Sequence, residues 1–361
     1  MDDPRSKVVG RGAQSAPPNR FERVHVEEDF EQVEGEYRSG EQPLERRVPT
    51  TFLPNDTRRI ICENDSPDVG FRFSINPYRG CEHGCAYCYA RPGHETLGLN
   101  AGIDFETKIL VKHDAALLLR RELAAPSWQG ETIAISGVTD CYQPAERQFR
   151  VTHSCIEVLL EARQPFGIIT KNALVLRDLD LLAEAARLRL VHVYLSITTL
   201  DAELGRTMEP RTSSPAGRLR AVKELSAAGV PVGIMVAPIV PGLTDSETPA
   251  ILEAAAAAGA GAAGYVLLRL PLAVRPIFED WLERNYPLKA ERVRALIRST
   301  RRGKMYTSQW RVRQRGEGAY AEQIGNNFKV FARRYGLDGS LPEHDRSLFT
   351  PPVVDGQGRL F

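Results

Sequence analysis

The chain has 361 residues, with 47 Lys and Arg against 46 Asp and Glu and 42% hydrophobic residues, values that exclude a fibrous or wholly disordered chain. Its six cysteines are too few for a disulfide framework, the N-terminal residues lack the apolar stretch of a secretory signal, and no run approaches the about 18 apolar residues of a membrane span. We therefore expect a cytoplasmic protein that has no membrane contact.

The N-terminal region, residues 1–55, is rich in Gly, Pro, Gln, Arg and Glu and has no sustained apolar periodicity. Such a composition buries too little apolar surface to offset the entropy lost on ordering. We expect a flexible N-terminal tail.

From about residue 72, short β-rich runs alternate with segments of helical spacing, a pattern typical of repeated βα units. Strands are predicted at 71–76, 132–137, 166–171, 191–198, 230–237 and 265–270. Helices are predicted at 113–125, 149–163, 176–188, 214–229 and 245–259. The pattern predicts one domain over residues 56–275, followed by a basic C-terminal extension and tail over residues 276–361.

The fourth predicted strand, 191–198, alternates apolar residues with the polar residues His192, Tyr194, Ser196 and Thr198. A strand buried between two helical layers is apolar on both faces, so one face of this strand must meet polar groups. A partial (β/α)6 TIM-type barrel, with helices outside and ligand-binding side chains inside, satisfies that requirement. His192 then faces the interior, and Arg269 lies near the carboxyl end of the last strand.

Half of the cysteines lie within eight residues, because Cys81, Cys85 and Cys88 form a Cys-x3-Cys-x2-Cys spacing in the loop after the first strand. Thiolates select zinc or iron-sulfur clusters. A zinc site needs a fourth ligand, which His83 or His94 can supply in principle. A [4Fe-4S] cluster needs only these three thiolates if one iron is left open for chemistry.

This spacing, with aromatic Tyr87 before the third cysteine and five further βα units, resembles the radical S-adenosylmethionine (SAM) superfamily. The stretches 75–91, 135–146, 168–182 and 193–201 are similar to the branch of that superfamily that includes spore photoproduct lyase, a DNA-lesion repair enzyme. The resemblance covers roughly residues 70 to 272.

The resemblance implies specific roles for individual residues. Cys81, Cys85 and Cys88 hold three irons of a [4Fe-4S] cluster, and the fourth iron binds SAM. The other implied contacts are the backbone of Tyr87 to the adenine, Ser136 and Gly137 with Asp140 to the methionine end, and Lys171 and Ser196 to the methionine carboxylate and the ribose. The Gly-Gly-Glu form that is common at the second strand of the family is absent here.

Cys141 follows Asp140 after the second strand, near the predicted site. In the repair lyase a cysteine returns a hydrogen atom to the substrate radical, so Cys141 is the candidate catalytic residue, although alignment on Asp140 does not superimpose that donor on it. The alternative is a loop cysteine without a role.

The segment 289–334 contains thirteen Lys or Arg against three acids, interleaved with Tyr306, Trp310, Tyr320, Phe328 and Phe331. This composition suits phosphate contacts and base stacking, and it predicts nucleic acid as a partner. The alternative is a solvated basic helix whose aromatic residues pack on the barrel.

The last five residues, 357–361, read Gln-Gly-Arg-Leu-Phe and resemble the peptide by which bacterial repair proteins dock on the sliding clamp. A sliding clamp is therefore a second predicted partner. A flavodoxin or ferredoxin is the electron donor that the family resemblance implies.

The sequence thus predicts a radical SAM enzyme that cleaves SAM reductively to a 5'-deoxyadenosyl radical and acts on nucleic acid, as a lyase in DNA repair. Two alternatives remain, namely a radical SAM enzyme that modifies a protein, peptide or small molecule, and a metal-binding protein without catalytic activity.

Overall fold

The computed structural model describes residues 8–21 and 46–354. Its strands are β1 (Val8–Val9), β2 (Arg46–Arg47), β3 (Thr51–Pro54), β4 (Ile61–Glu63), β5 (Phe73–Ile75), β6 (Tyr78–Arg79), β7 (Lys108–Val111), β8 (Ile133–Ile135), β9 (Phe166–Thr170), β10 (Val191–Ser196), β11 (Val232–Ile239) and β12 (Ala262–Leu267).

The α-helices are α1 (Ile103–Thr107), α2 (Ala115–Leu123), α3 (Glu146–Phe149), α4 (Val151–Glu161), α5 (Leu179–Arg187), α6 (Ala202–Met208), α7 (Pro215–Ala227), α8 (Thr248–Ala257), α9 (Val274–Asn285), α10 (Pro287–Ser299), α11 (Val312–Arg315) and α12 (Ala319–Arg334). Short 3-10 helices span Arg91–Leu97, Ala173–Asp178, Asp245–Glu247 and Arg346–Leu348.

The main sheet of the described residues has the strand order β12, β11, β10, β9, β8, β5, β4. The strands from β5 to β12 in this order are parallel, and β4 is antiparallel to β5 at the edge. A smaller sheet has the order β3, β7, β6. Six parallel strands with intervening helices confirm the predicted α/β fold with an open, partial (β/α)6 barrel.

The two faces of the main sheet differ in burial, as the alternation in β10 predicts. Val193 and Leu195 are fully buried in the main apolar core, together with Leu182 of α5 and Val222 of α7. Tyr194 and His192 on the opposite face are half-buried. The helices therefore cover one face of the sheet, and the other face is the interior of the barrel.

The last strand begins earlier than predicted, since β12 starts at Ala262 and ends at Leu267. Small residues permit this pairing, because a Cβ on Gly264 would lie 2.8 Å from Sδ of Met235 in β11. Leu270, predicted to be in the strand, instead packs in a second apolar cluster, which also contains Cys85 and Tyr87.

The C-terminal part of the chain packs on the barrel. Tyr265 in β12 meets Phe328 in α12 with ring centroids 4.7 Å apart. Residues 337–354, here called the C-terminal segment, cross the amino ends of the strands, where His344 stacks on His192 at 3.8 Å and the Asp345 amide donates to Arg189 O at 2.9 Å. The region after residue 275 is thus integrated with the barrel as far as it is described.

Among the residues that the structure describes, no helix is both long enough and apolar enough to cross a membrane.

Candidate functional site

The three clustered cysteines lie in a loop beyond β5 and β6, at the end of the sheet where β5 and β8 to β12 have their carboxyl ends, here called the carboxyl edge. Cys81 and Cys85 are buried and Cys88 is half-buried. Backbone hydrogen bonds shape the loop: Cys81 N donates to Phe105 O at 2.9 Å, and Cys88 N donates to Cys85 O at 3.2 Å. The loop therefore has a fixed path rather than being an open surface turn.

The three cysteine side chains converge. Cys88 packs against the apolar group of Cys81 and Phe105 and also against the larger cluster that contains Cys85. Burial raises the pKa of all three thiols, and the pKa of Cys85 rises further because of the nearby Glu209 carboxylate. A bound metal centre would stabilise the thiolate forms that this environment otherwise disfavours.

The donor set favours an iron-sulfur cluster over zinc. Three cysteines match a [4Fe-4S] cluster with one open iron, because such a cluster binds each cysteine through a different iron, whereas a structural zinc ion needs a fourth protein ligand. Nε2 of His83 lies 3.2 Å from Asn172 Nδ2, and Nε2 of His94 lies 2.9 Å from Lys108 O. Nδ1 of His83 lies 3.5 Å from Asp140 Oδ2, so both ring nitrogens of His83 are engaged and His83 is disfavoured as a fourth ligand.

A buried ion pair ties the cysteine loop to helix α1. Arg91 and Glu106 are each 0% exposed, and their charged groups are 3.2 Å apart. The Arg91 guanidinium also donates to Cys85 O at 2.9 Å and to Gly84 O at 3.2 Å, and it reaches Ala101 O at 3.1 Å. Arg91 thus fixes the backbone between two of the cysteines.

The N-terminal segment 10–19 covers this ion pair. The backbone amides of Arg11, Gly12 and Ala13 donate to the Glu106 carboxylate at 2.8, 3.1 and 3.1 Å. A Cβ on Gly12 would lie 1.8 Å from Gly84 O, so only glycine allows this approach. The predicted flexible tail over residues 1–55 is therefore corrected for the part that the structure describes, and residues 1–7 and 22–45 of it lie outside the described residues.

The carboxyl end of α6 and the loop after it contact the opposite side of the cysteine loop. Ala86 N donates to Met208 O at 3.0 Å, and the Arg211 side chain donates to Glu82 at 2.7 Å. Side chains as well as backbone therefore fix the loop on this side.

Glu209, which directly follows Met208 at the end of α6, organises a buried network around Tyr87. Its carboxylate accepts hydrogen bonds from the Tyr87 hydroxyl and from Thr198, the latter at 2.7 Å, and it pairs with Arg218. Burial opposes ionisation of Glu209, but the charges of Arg218 and Lys171 outweigh it and lower the pKa of the carboxyl. The side chain of Tyr87 is thereby held in place while its backbone remains in the cysteine loop.

Asp140 positions the end of β9. Its carboxylate accepts from Thr170 Oγ1 at 2.7 Å, from Lys171 N at 2.8 Å and from Tyr142 N at 2.9 Å. Lys171 Nζ lies 5.9 Å from the centroid of the Tyr87 ring. The predicted residues Asp140, Lys171 and Tyr87 are thus brought together beside the cysteine loop.

The remaining predicted SAM contacts also lie at the carboxyl edge. Ser136 adopts a φ of +79°, and its Oγ donates to Thr139 O at 2.6 Å. Gly137 O accepts from the Tyr89 hydroxyl at 2.8 Å. Ser196 is 4% exposed at the end of β10. The structure places these residues at neighbouring strand ends, and their contacts to SAM stay predictions.

Cys141 lies apart from the three clustered cysteines. It is 0% exposed within the main apolar core, and its carbonyl accepts from Thr152 Oγ1 at 2.7 Å. Its predicted role as a hydrogen-atom donor stays a prediction.

Arg269 is a cation at the carboxyl edge with an unsatisfied donor. Its guanidinium lies 5.2 Å from the centroid of the Tyr89 ring. Its Nε is buried without a hydrogen-bond partner in the residues that the structure describes. A buried donor of this kind is costly unless a bound group satisfies it.

Sequence patterns did not indicate four charged residues of the site, namely Arg91, Glu106, Glu209 and Arg218. Each is an isolated charge whose partner is distant in sequence, and Glu106 lies 15 residues from Arg91. Only the closeness of Arg91 to Cys88 could have indicated a role, because a cation there suits a loop of thiolates.

Comparison with known proteins agrees with this geometry. The family model of the Radical SAM superfamily matches residues 75–255. A protein of Mycobacterium tuberculosis, named only as uncharacterized, is 43% identical over 247 residues, which cover 66% of this chain and 73% of the relative. A protein of Methanocaldococcus jannaschii, also named as uncharacterized, is 31% identical over 229 residues, covering 62% of this chain and 80% of the relative.

Among solved structures, spore photoproduct lyase is similar with a TM-score of 0.58 at 17% identity, covering 86% of this chain and 93% of that one. The complex of that lyase with a dinucleoside spore photoproduct gives a TM-score of 0.57 at 18% identity over the same shares. These likenesses show a shared fold. With the family match over half of its length, the chain belongs to the radical SAM superfamily and is an enzyme that uses a [4Fe-4S] cluster and SAM.

Proposed function

We propose that this protein is a radical SAM enzyme that acts on nucleic acid, as a lyase in the repair of DNA lesions. Cys81, Cys85 and Cys88 would hold the [4Fe-4S] cluster, which would supply one electron for the reductive cleavage of SAM to methionine and a 5'-deoxyadenosyl radical, and that radical would take a hydrogen atom from the substrate. The protein residues hold the reactants in position and exclude water from them.

The proposed SAM site uses residues that the structure groups beside the cysteines. Lys171 provides a cation for the methionine carboxylate. Asp140 orients Lys171, because the Asp140 carboxylate accepts a hydrogen bond from the Lys171 backbone amide at 2.8 Å. Ser196 is proposed to contact the ribose, and the backbone of Tyr87 the adenine. Ser136 and Gly137 are proposed to face the methionine end of SAM.

The nucleic-acid proposal rests on one observation at the carboxyl edge. The buried Nε of Arg269 there has no hydrogen-bond partner among the described residues. A carboxylate or a phosphate would satisfy this donor, and we propose that it is a phosphate of the nucleic acid. The basic segment 289–334 follows the last strand and supplies further cations near the same edge. The fold shared with a lyase that was solved with a dinucleoside spore photoproduct supports the same substrate class.

Several side chains of segment 289–334 already have partners within the protein, which limits the number of cations that we propose for phosphate contacts. Arg294, Arg302 and Arg313 pair with acids, and Arg301 is buried against backbone carbonyls. Phe328 is buried, whereas Trp310 is 45% exposed. Part of the segment thus packs as the alternative interpretation requires, and a subset of its cations is available to phosphates.

The test is anaerobic reductive cleavage of SAM, measured as 5'-deoxyadenosine, with ultraviolet-irradiated DNA, unirradiated DNA, RNA or a peptide mixture. We expect irradiated DNA to increase turnover and to show altered nucleotides by mass spectrometry. Cys85→Ala is the control that removes cleavage. Stimulation by peptides and by no nucleic acid would contradict the proposal.

A further inference from the structure

A basic groove opens beside the carboxyl edge. It has a volume of about 560 Å³, and its lining includes Leu270, Arg275, Arg298, Lys304 and Tyr306. Arg275 is held by Glu279 at 3.1 Å. Arg298 and Lys304 have no ion-pair partner in the described part of the chain, and no acid lines the groove.

The groove is continuous with the wall of the proposed active site. Leu270 and Met305 in its lining belong to the same apolar cluster as Cys85 and Tyr87 of the cysteine loop. Arg269, with its unsatisfied Nε, immediately precedes Leu270. Cations therefore extend from the site outward into the groove.

The groove also offers an aromatic surface. Tyr306 is half-buried and packs on the same apolar cluster. Aromatic rings next to backbone-binding cations are how proteins bind single-stranded nucleic acid, since every base has a face that can stack. Chemistry on a base also requires that the base leave the duplex stack, because a stacked base cannot enter an enclosed site.

We propose that this groove binds the phosphodiester backbone of an unpaired stretch of nucleic acid, next to the nucleotide on which the enzyme acts. Arg298 and Lys304 contact phosphates, Tyr306 stacks on a flanking base, and Arg269 contacts the phosphate nearest the reacting nucleotide. This inference rests on the proposed function and names the binding surface and the form of the substrate.

The test is binding of a fluorescently labelled single-stranded oligonucleotide to the reconstituted holoenzyme, followed by anisotropy over a series of salt concentrations. The groove variant is Arg298→Gln with Lys304→Gln. The matched control is Lys289→Gln with Arg292→Gln, which removes two exposed cations of the same segment outside the groove. Circular dichroism and iron content verify that both variants are folded and loaded.

We expect the groove variant to bind at least about tenfold more weakly than wild type, with a salt slope smaller by about 1.4, since each phosphate contact on a single strand contributes about 0.7. The control variant should stay within about twofold of wild type. The corresponding duplex should bind more weakly than the single strand, and a polyglutamate peptide should not compete.

Equal losses in the groove and control variants would overturn the groove assignment, because they would show general attraction to a basic surface. Tighter binding of the duplex, or competition by polyglutamate, would also overturn it. If wild-type enzyme binds neither single strand nor duplex at low salt, the proposed function itself fails, which distinguishes that outcome from failure of the groove alone.

Discussion

Removal of the Glu106 carboxylate should release the cysteine loop. Glu106 joins three backbone amides of residues 11–13 to the fully buried Arg91. Glu106→Gln keeps the size of the side chain but leaves Arg91 as a buried cation without a counter-charge. Breaking a buried ion pair in this way costs about 3 to 5 kcal/mol, and the glutamine oxygen can still accept some of the hydrogen bonds, so we expect the lower end.

The lost interaction energy destabilises the loop that contains the cluster ligands. A cost of about 3 kcal/mol raises the population of an opened loop about a hundredfold, because each 1.4 kcal/mol is a factor of ten. We therefore expect Glu106→Gln to retain less than half of the wild-type iron and sulfide per chain after anaerobic reconstitution and gel filtration. Its visible cluster absorbance should also decay faster in air.

Glu122→Gln is the matched control. Glu122 likewise accepts hydrogen bonds from two consecutive backbone amides, Ile60 N at 2.5 Å and Ile61 N at 3.2 Å, but it does not contact the cysteine loop. This variant should lose stability in urea and keep the wild-type iron content. Full iron in Glu106→Gln, or an equal iron loss in Glu122→Gln, would refute the argument.

Three further predictions concern the SAM site, the Tyr87 network and the C-terminal segment. Asp140→Asn replaces a carboxylate that accepts the Lys171 amide at 2.8 Å, so we expect anaerobic equilibrium dialysis to show at least about tenfold weaker SAM binding. Glu209→Gln leaves Arg218 buried without its partner, so the free energy of unfolding in urea should fall by about 3 to 5 kcal/mol. Burial and a neighbouring imidazole lower the pKa of His344 from 6.5 to about 4. When the C-terminal segment undocks, the pKa of His344 returns to 6.5, so between about pH 6.5 and 4 the undocked state binds a proton that the docked state does not. The stability that docking of His344 contributes is therefore complete above about pH 6.5 and is lost as the pH falls toward 4. Urea unfolding at pH 7 and at about pH 4 measures this loss.

Controls accompany these three variants. Asp114→Asn, at an exposed carboxylate, should bind SAM like wild type, and equal affinity in Asp140→Asn would contradict the positioning role. An unchanged unfolding free energy in Glu209→Gln would show that the network is not stabilising. His344→Phe should reduce the loss of stability at low pH, and an undiminished loss would assign it to other groups.

The order of strands and helices was predictable from sequence, because βα units have strong local periodicity. The helix predicted at 214–229 forms at Pro215–Ala227, where Ser214 accepts a hydrogen bond from Gly217 N as an N-cap. The start of β12 was not predictable, since Ala and Gly have low strand propensity and these residues extend the strand by pairing with β11, a contact between segments distant in sequence.

The cysteine spacing indicated the site, but the sequence did not indicate which residues hold the cysteine loop in place. Composition suggested that the N-terminal region has too little apolar surface to fold. Residues 11–13 instead pack through backbone amides on Glu106, an interaction that hydrophobic patterning does not register. The charge count over 289–334 likewise did not distinguish the buried Arg301 from the exposed Lys304. The predicted clamp peptide at 357–361 lies outside the described residues, and its role stays a prediction.

The central claim is that Cys81, Cys85 and Cys88 hold a [4Fe-4S] cluster with one iron open to SAM. The most direct measurement is iron and sulfide analysis with electron paramagnetic resonance of the reduced protein, prepared anaerobically, with and without SAM, for wild type and Cys85→Ala. We expect about four irons and four sulfides per wild-type chain, a signal that changes when SAM is added, and neither property in the variant. Stoichiometric zinc without a cluster after reconstitution, or a cluster signal that SAM does not alter, would contradict the account.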